Sequence, residues 1–347
     1  MKALVQLGLT PLPEPGAGLR CEVVGEGVVA VFIDASELAF RAAPDERFFG
    51  FGERSHRCML RGEEVEHYVG EGPYQPEEYD LVRAIVPPWG LRERPDATYF
   101  PIPWLLSSRG YGVLVDNPET SRHRLCLEAP DRWSVEVEAP ALRLRVFAGP
   151  RPADALRRLS QQTGRQPFPA APWFLGPWFQ TGHQDLVPLE REAELFRTLQ
   201  EAGAPASAAE THMRRLPAGA HRGRREDERR RTAQCHANGL ACLTYFNAMV
   251  SVEFEELFSR AAGGGLLQKR EDGSPYVFQA YLGGREVPLT EEAQLDFTNP
   301  GAESLLEEVF REAVEDGHDG WMEDFGEYTP PDAVSSDGRP GTEMHNL

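Results

Sequence analysis

The chain has 347 residues, 41% hydrophobic and 26% charged, which is enough material for two domains with sizeable cores. Acidic residues outnumber basic ones by 55 to 36, for a formal net charge of −19. Such a field repels phosphate backbones and anionic lipid, so nucleic acid and membrane are excluded as expected partners. Five cysteines, at 21, 58, 126, 235 and 242, form no Cys-x-x-Cys pair and are odd in number, which predicts unpaired thiols in a reducing compartment. The N-terminal residues show no export signal, and no window approaches the roughly 20 apolar residues of a membrane span. The expectation is a cytoplasmic protein.

Residues 1–150 read as all-β. Arg20-Cys21-Glu22-Val23-Val24 and Val28-Val29-Ala30-Val31-Phe32-Ile33 are strand-like. Trp133-Ser134-Val135-Glu136-Val137 and Leu142-Arg143-Leu144-Arg145-Val146 alternate apolar with polar residues. Gly- and Pro-rich punctuation separates them, and a β-sandwich is predicted. Residues 151–171 carry a short helix, with Ala155, Leu156 and Leu159 at helical spacing, and then a proline-rich linker.

From 172 to 347 strands alternate with helices, the mark of a parallel α/β architecture. A first strand is expected over residues 173–179, a second over 206–213 and a third over 240–246, with helices between them. A long irregular insertion is expected over 263–296. Asn299-Pro300 then supplies a helix cap and a proline at the first helical position. Leu305, Leu306, Val309, Phe310 and Ala313 form the apolar face of that helix. The fourth strand follows.

The chain is organised around Gly320-Trp321-Met322-Glu323-Asp324-Phe325-Gly326-Glu327-Tyr328. This grammar puts Asp324 where a buried strand opens into a loop, the end at which parallel-strand enzymes keep their chemistry. Trp321, Met322, Phe325 and Tyr328 set an apolar wall beside two carboxylates. That wall raises the cost of ionisation and shapes a ring-sized pocket. The competing reading is a solvated acidic loop. Loops after the other strands should line the same pocket, which adds Gln180 and His183, Glu210 and His212, and Asn247 as candidates. The nine histidines form no zinc-type spacing, so no metal is expected. The basic stretch from Met213 to Arg231 includes Glu226, Asp227 and Glu228 and reads as a solvated helix and loop, with a sugar anion as a minor alternative use of one arginine.

Several of these segments, in order, resemble glycoside hydrolase family 31, the retaining α-glycosidases. Arg47-Phe48-Phe49-Gly50-Phe51-Gly52-Glu53-Arg54 is similar to a signature of its N-terminal domain. Ile102-Pro103-Trp104 through Gly110-Tyr111-Gly112 to Asn117 is similar to a hairpin of the same domain, and Asp296-Phe297-Thr298-Asn299-Pro300 to the element before its nucleophile strand. The Trp321–Tyr328 run resembles the nucleophile region in the form seen in sulfoquinovosidase-like members. The resemblance implies a β-sandwich followed by the N-terminal half of a (β/α)8 TIM barrel. It implies Asp324 as nucleophile, Glu327 in support, and substrate contacts from Gln180, Glu210, His212, Asn247, Trp321 and Met322. It implies hydrolysis of α-linked glycosides with retention and without a cofactor, α-glucosides being the default substrate and sulfoquinovosides the alternative. Where the family's second strand ends in Asp, this chain has Glu210-Thr211-His212, so Glu210 or His212 stands in its place. The segment from 172 onward is shorter than the about 250 residues of a complete barrel. The implied acid/base residue is therefore expected beyond residue 347, and the chain alone is expected to be inactive, with a half barrel that is poorly soluble or partly molten. A non-catalytic carbohydrate-binding relic and a carboxylate-based isomerase are the rival readings.

Overall fold

The structure, a computed structural model, describes residues 2–12, 18–180, 188–280 and 290–347. The chain divides into two compact units. The first comprises Met1–Val82, Pro88–Gln166 and Thr342–Leu347, and the second Arg83–Pro87 and Pro167–Gly341.

The first unit holds two antiparallel sheets. One runs, neighbour to neighbour, through Pro11–Leu12, Glu37–Arg41, Arg132–Val137, Ser121–Leu125 and Glu64–His67. The other runs through Leu19–Gly25, Val28–Ile33, Leu142–Ala148, Tyr111–Val115, Pro101–Ser107 and Phe48–Gly52. Their apolar alternation meets in one core that includes Phe40, Phe48, Phe51, Trp133, Val135, Leu144 and Val146. Trp133 is fully buried and stacks on Phe40 with ring centroids 4.5 Å apart. The Pro152–Thr163 helix packs Ala155 and Leu159 with Val28, Trp104 and Phe147.

The glycine signatures of this unit are explained by close backbone approach. A Cβ on Gly50 would lie 2.3 Å from the Trp104 carbonyl oxygen, and one on Gly112 would lie 2.0 Å from the Trp104 ring. On adjacent strands of the first sheet His67 and His123 are buried side by side, Nε2 to Nδ1 3.1 Å apart. Burial, first of all, holds both imidazoles well below their ordinary range, His123 at about 3.

The second unit is built on a four-stranded parallel sheet. Its strands are Trp178–Gln180, Ala208–Arg214, Ala241–Asn247 and Gly320–Asp324, in that spatial order. The first strand is shorter than the sequence suggests. Pro172–Leu175 instead forms a 3-10 turn, closed by the Gly176 N–H on the Trp173 carbonyl, so extension begins only past Pro177. Helices Leu189–Glu201, Arg225–Ala237 and Pro300–Glu315 follow the first three strands in the chain. On one face of the sheet Phe179, Ala209 and Cys242 pack with Phe196 and Cys235 of the first two helices. Phe246 and Trp321 pack with Val309 and Phe310 of the third. On the opposite face Ala208, Ala241 and Leu243 gather around Trp173.

Two expectations are corrected here. The segment 263–296 is not wholly irregular: Val277–Ala280 and Thr290–Gln294 pair with each other, and Thr290–Gln294 pairs with Met249–Ser251, giving a small antiparallel sheet. Its polar Thr-Glu-Glu-Ala-Gln strand hid it, because Glu292 and Gln294 are buried. The basic stretch, in turn, is solvated only in part: Arg222, Glu226, Arg229 and Arg230 are exposed, but two of its arginines are buried. Arg215 is fully buried against Asp316 (2.9 Å) and Glu228 (3.7 Å), and Arg231 is buried against Glu192 (2.8 Å). His318 lies 3.0 Å from Glu228. The Arg225–Ala237 helix has almost no apolar stripe, and it meets its neighbours through the ion pairs of Glu228 and Arg231 and through buried Cys235.

All five cysteines are free thiols. Among the described residues no helix is long and apolar enough to cross a membrane, and no group of three side chains is arranged to hold a metal ion.

Candidate active site

Asp324 is the last residue of the fourth parallel strand. In the register of the sheet Tyr245 lies beside Met322, and Asn247 lies beside Asp324. Gln180 lies beside Glu210, and Glu210 beside Leu243. Side chains alternate along a strand and share a face across a parallel pair. Gln180, Glu210, Tyr245, Met322 and Asp324 therefore fall on the face away from the helices, toward the C-terminal ends of the strands.

Two hydrogen bonds hold the Asp324 carboxylate. The Tyr245 hydroxyl donates to Oδ2 at 2.8 Å, and the backbone N–H of Phe325 donates to Oδ1 at 3.1 Å. Phe325 adopts φ +55°, the left-handed region that a bulky residue rarely enters, so the strand turns sharply just past the carboxylate. The turn is braced from behind. The Phe325 ring lies 5.3 Å from that of buried Tyr328, whose ring meets Phe278 of the small sheet edge-on at 6.4 Å. Gln294 of the same sheet donates from Nε2 to the Gly326 carbonyl at 3.4 Å.

Glu210 is half-buried, and its carboxyl is raised by burial first and by the charge of Asp324 second. This places two carboxyl groups on one face. Met322, 45% exposed, and Trp178, 44% exposed, give the same face an apolar surface.

The remaining candidates separate. Asn247 is fully buried, and its Oδ1 accepts from the Met249 N–H at 3.0 Å, so it shapes the step into the small sheet. Glu327 is buried beyond the turn. His212 sits in the second strand, but its side chain lies outside the described residues, as does all of His183. Trp321 is a correction. It stacks on Phe310 at 4.5 Å and meets Phe246 at 5.5 Å on the helix side of the sheet, so it belongs to the packing layer and not to the Asp324 face. The physical reason is strand alternation: three residues from Asp324 is the wrong parity. Tyr245 was missed. The signal available was parity in the other direction, since Tyr245 shares the face of Asn247 within a strand that reads clearly from sequence.

The family described as the glycosyl hydrolase 31 N-terminal galactose mutarotase-like domain matches residues 30–122, nearly all of them in the first unit. The chain is 25% identical over 318 residues to the alpha-xylosidase XylQ of Lactiplantibacillus pentosus, covering 87% of this chain and 37% of that protein. It is 28% identical over 267 residues to a sulfoquinovosidase of Agrobacterium fabrum, covering 72% of this chain and 37% of that one. Both matches span little more than a third of those relatives. A family 31 dextranase of Flavobacterium johnsoniae, solved with glucose, superposes with TM-score 0.73 at 18% identity, over 97% of this chain and 43% of the other. A sulfoquinovosidase from E. rectale, solved with an aza-sugar inhibitor, gives 0.71 at 18% identity, over 97% and 53%. At such identities the likeness speaks for the fold.

Proposed function

We propose that the chain is a member of glycoside hydrolase family 31, that its second unit is the first half of a (β/α)8 barrel, and that Asp324 is the nucleophile of a retaining α-glycosidase. One observation carries the proposal. Asp324 ends a parallel strand with each carboxylate oxygen held by one hydrogen-bond donor. In the reaction a carboxylate oxygen would donate an electron pair to the anomeric carbon while the bond to the leaving oxygen breaks. A glycosyl-enzyme ester results, and water then hydrolyses it. Retention needs a second carboxyl group about 5–5.5 Å away to protonate the leaving oxygen. We assign that role to neither Glu327, which is buried beyond the turn, nor Glu210, which with Gln180 and Met322 shares the Asp324 face and would meet the sugar. The substrate would be an α-linked hexoside, with α-glucosides as the default. The relatives named as alpha-xylosidase and sulfoquinovosidase add α-xylosides and sulfoquinovosides to the panel worth testing.

An activated α-glycosyl fluoride carrying a second fluorine on the ring tests this on the chain as it stands. Fluoride departs without a proton donor, so trapping does not wait on the acid. The expected result is a mass increase on the peptide bearing Asp324, abolished in Asp324→Asn. Labelling of another carboxylate, or undiminished labelling of Asp324→Asn, would overturn the assignment. Saturable sugar binding without labelling would support the carbohydrate-binding reading instead.

A further inference from the structure

We infer that Tyr245 is the positioning residue of Asp324, an inference that rests on the nucleophile reading above. The third and fourth strands run parallel with Tyr245 beside Met322, and the tyrosine side chain reaches two residues further to place its hydroxyl on Asp324 Oδ2 at 2.8 Å. Tyr245 is almost wholly buried, so its ring is fixed by packing before any sugar arrives. The other oxygen, Oδ1, is held by the amide of Phe325, whose left-handed backbone aims that N–H back at its neighbour. A carboxylate held at both oxygens from two rigid elements loses the rotation about its own side-chain bonds. Holding an attacking group in one orientation before reaction is a major source of rate in displacement chemistry. The tyrosine touches the carboxylate and not the reacting carbon, so it acts through Asp324.

Three consequences separate positioning from simple satisfaction of a buried phenol. Tyr245→Phe keeps the ring and its packing, so the thermal midpoint of the second unit should change little. In the trapping reaction with the fluorinated glycosyl fluoride, the rate constant at saturation should fall about ten- to a hundredfold, the loss expected for one hydrogen bond to a charged group. The half-saturating concentration should stay near that of the unaltered chain. In the unliganded chain, amide hydrogen exchange over residues 320–328 should accelerate in Tyr245→Phe, because Asp324 no longer ties the turn to the neighbouring strand. If the unaltered chain labels at Asp324 and Tyr245→Phe labels at the same rate, the inference is overturned while the nucleophile reading survives. If the unaltered chain does not label, the nucleophile reading fails, and unchanged exchange over 320–328 would then separately remove the tyrosine as a restraint on Asp324.

Discussion

The two units solve the problem of burying a sheet in opposite ways. In the first, two sheets bury their apolar faces against each other, and the largest side chains, such as Trp133 and Phe48, are sealed in the middle. In the second, a single parallel sheet covers one face with helices, while its other face carries Trp178 and Met322 nearly half exposed beside Glu210 and Asp324. Both units bury charge in pairs, Arg54 against Asp96 in the first and Arg215 against Asp316 in the second, and the first also buries two histidines against each other. The contrast teaches where each unit can accept change. A sandwich core has no face to spare, and the open face of the parallel sheet is free to hold groups chosen for chemistry and not for packing.

The strongest test of that contrast compares two tryptophans. Trp133→Ala should destabilise the first unit by about 3–5 kcal/mol, the usual cost of emptying a sealed aromatic site. Trp178→Ala should cost the second unit less than about 1 kcal/mol, since much of its ring already meets solvent. Hydrogen exchange of the full chain, read unit by unit in a denaturant series, gives both numbers. Comparable losses would erase the distinction.

A smaller effect concerns acid. His67 and His123 sit below their ordinary pKa of 6.5 in the folded first unit. The unfolded chain therefore takes up protons that the folded one refuses, and stability present above about pH 6.5 should be lost as pH falls toward the folded values. The same measurement at pH 7 and pH 5 should show the sandwich weakening. A flat response would mean that these imidazoles are not neutral in the core.

The smallest effect concerns Glu210. Its carboxyl is raised by burial and by Asp324, so its contribution to stability is fully present below the ordinary carboxyl range and is lost as pH rises through the raised value. Glu210→Gln should leave stability at acid pH unchanged and raise it slightly at neutral pH. A loss at neutral pH would show that the charge of Glu210 is compensated more strongly than that of Asp324 repels it.

How much of this was legible in the residues follows from the range of each interaction. The third strand was plain in Leu240–Phe246, a continuous apolar run, and the cap at Asn299 was plain because its side chain accepts from Gly301 only two residues away. Asp324 at a strand end followed from a short apolar run meeting a glycine. The bond from Tyr245 to Asp324 joins residues 79 apart, and no local pattern announces it. The Arg215 network was hidden for the same reason, since charge runs look solvated until a partner such as Asp316, 101 residues on, is folded against them. Trp321 looked like part of a sugar wall because composition carries no parity. The strand supplies it.

The last six residues belong to the first unit. His345 stacks on Tyr68 at 4.0 Å and donates from Nε2 to the Val69 carbonyl at 2.7 Å, while Asn346 accepts from the Val69 N–H and donates to the Pro118 carbonyl. A chain leaving the ribosome at about 5–20 residues per second would have released all the sandwich strands well before this clasp emerges. The face around Tyr68 and Val69 therefore stays bare of this clasp while residues 167–341 are synthesised, and the closing of the clasp reports that the intervening segment has been made.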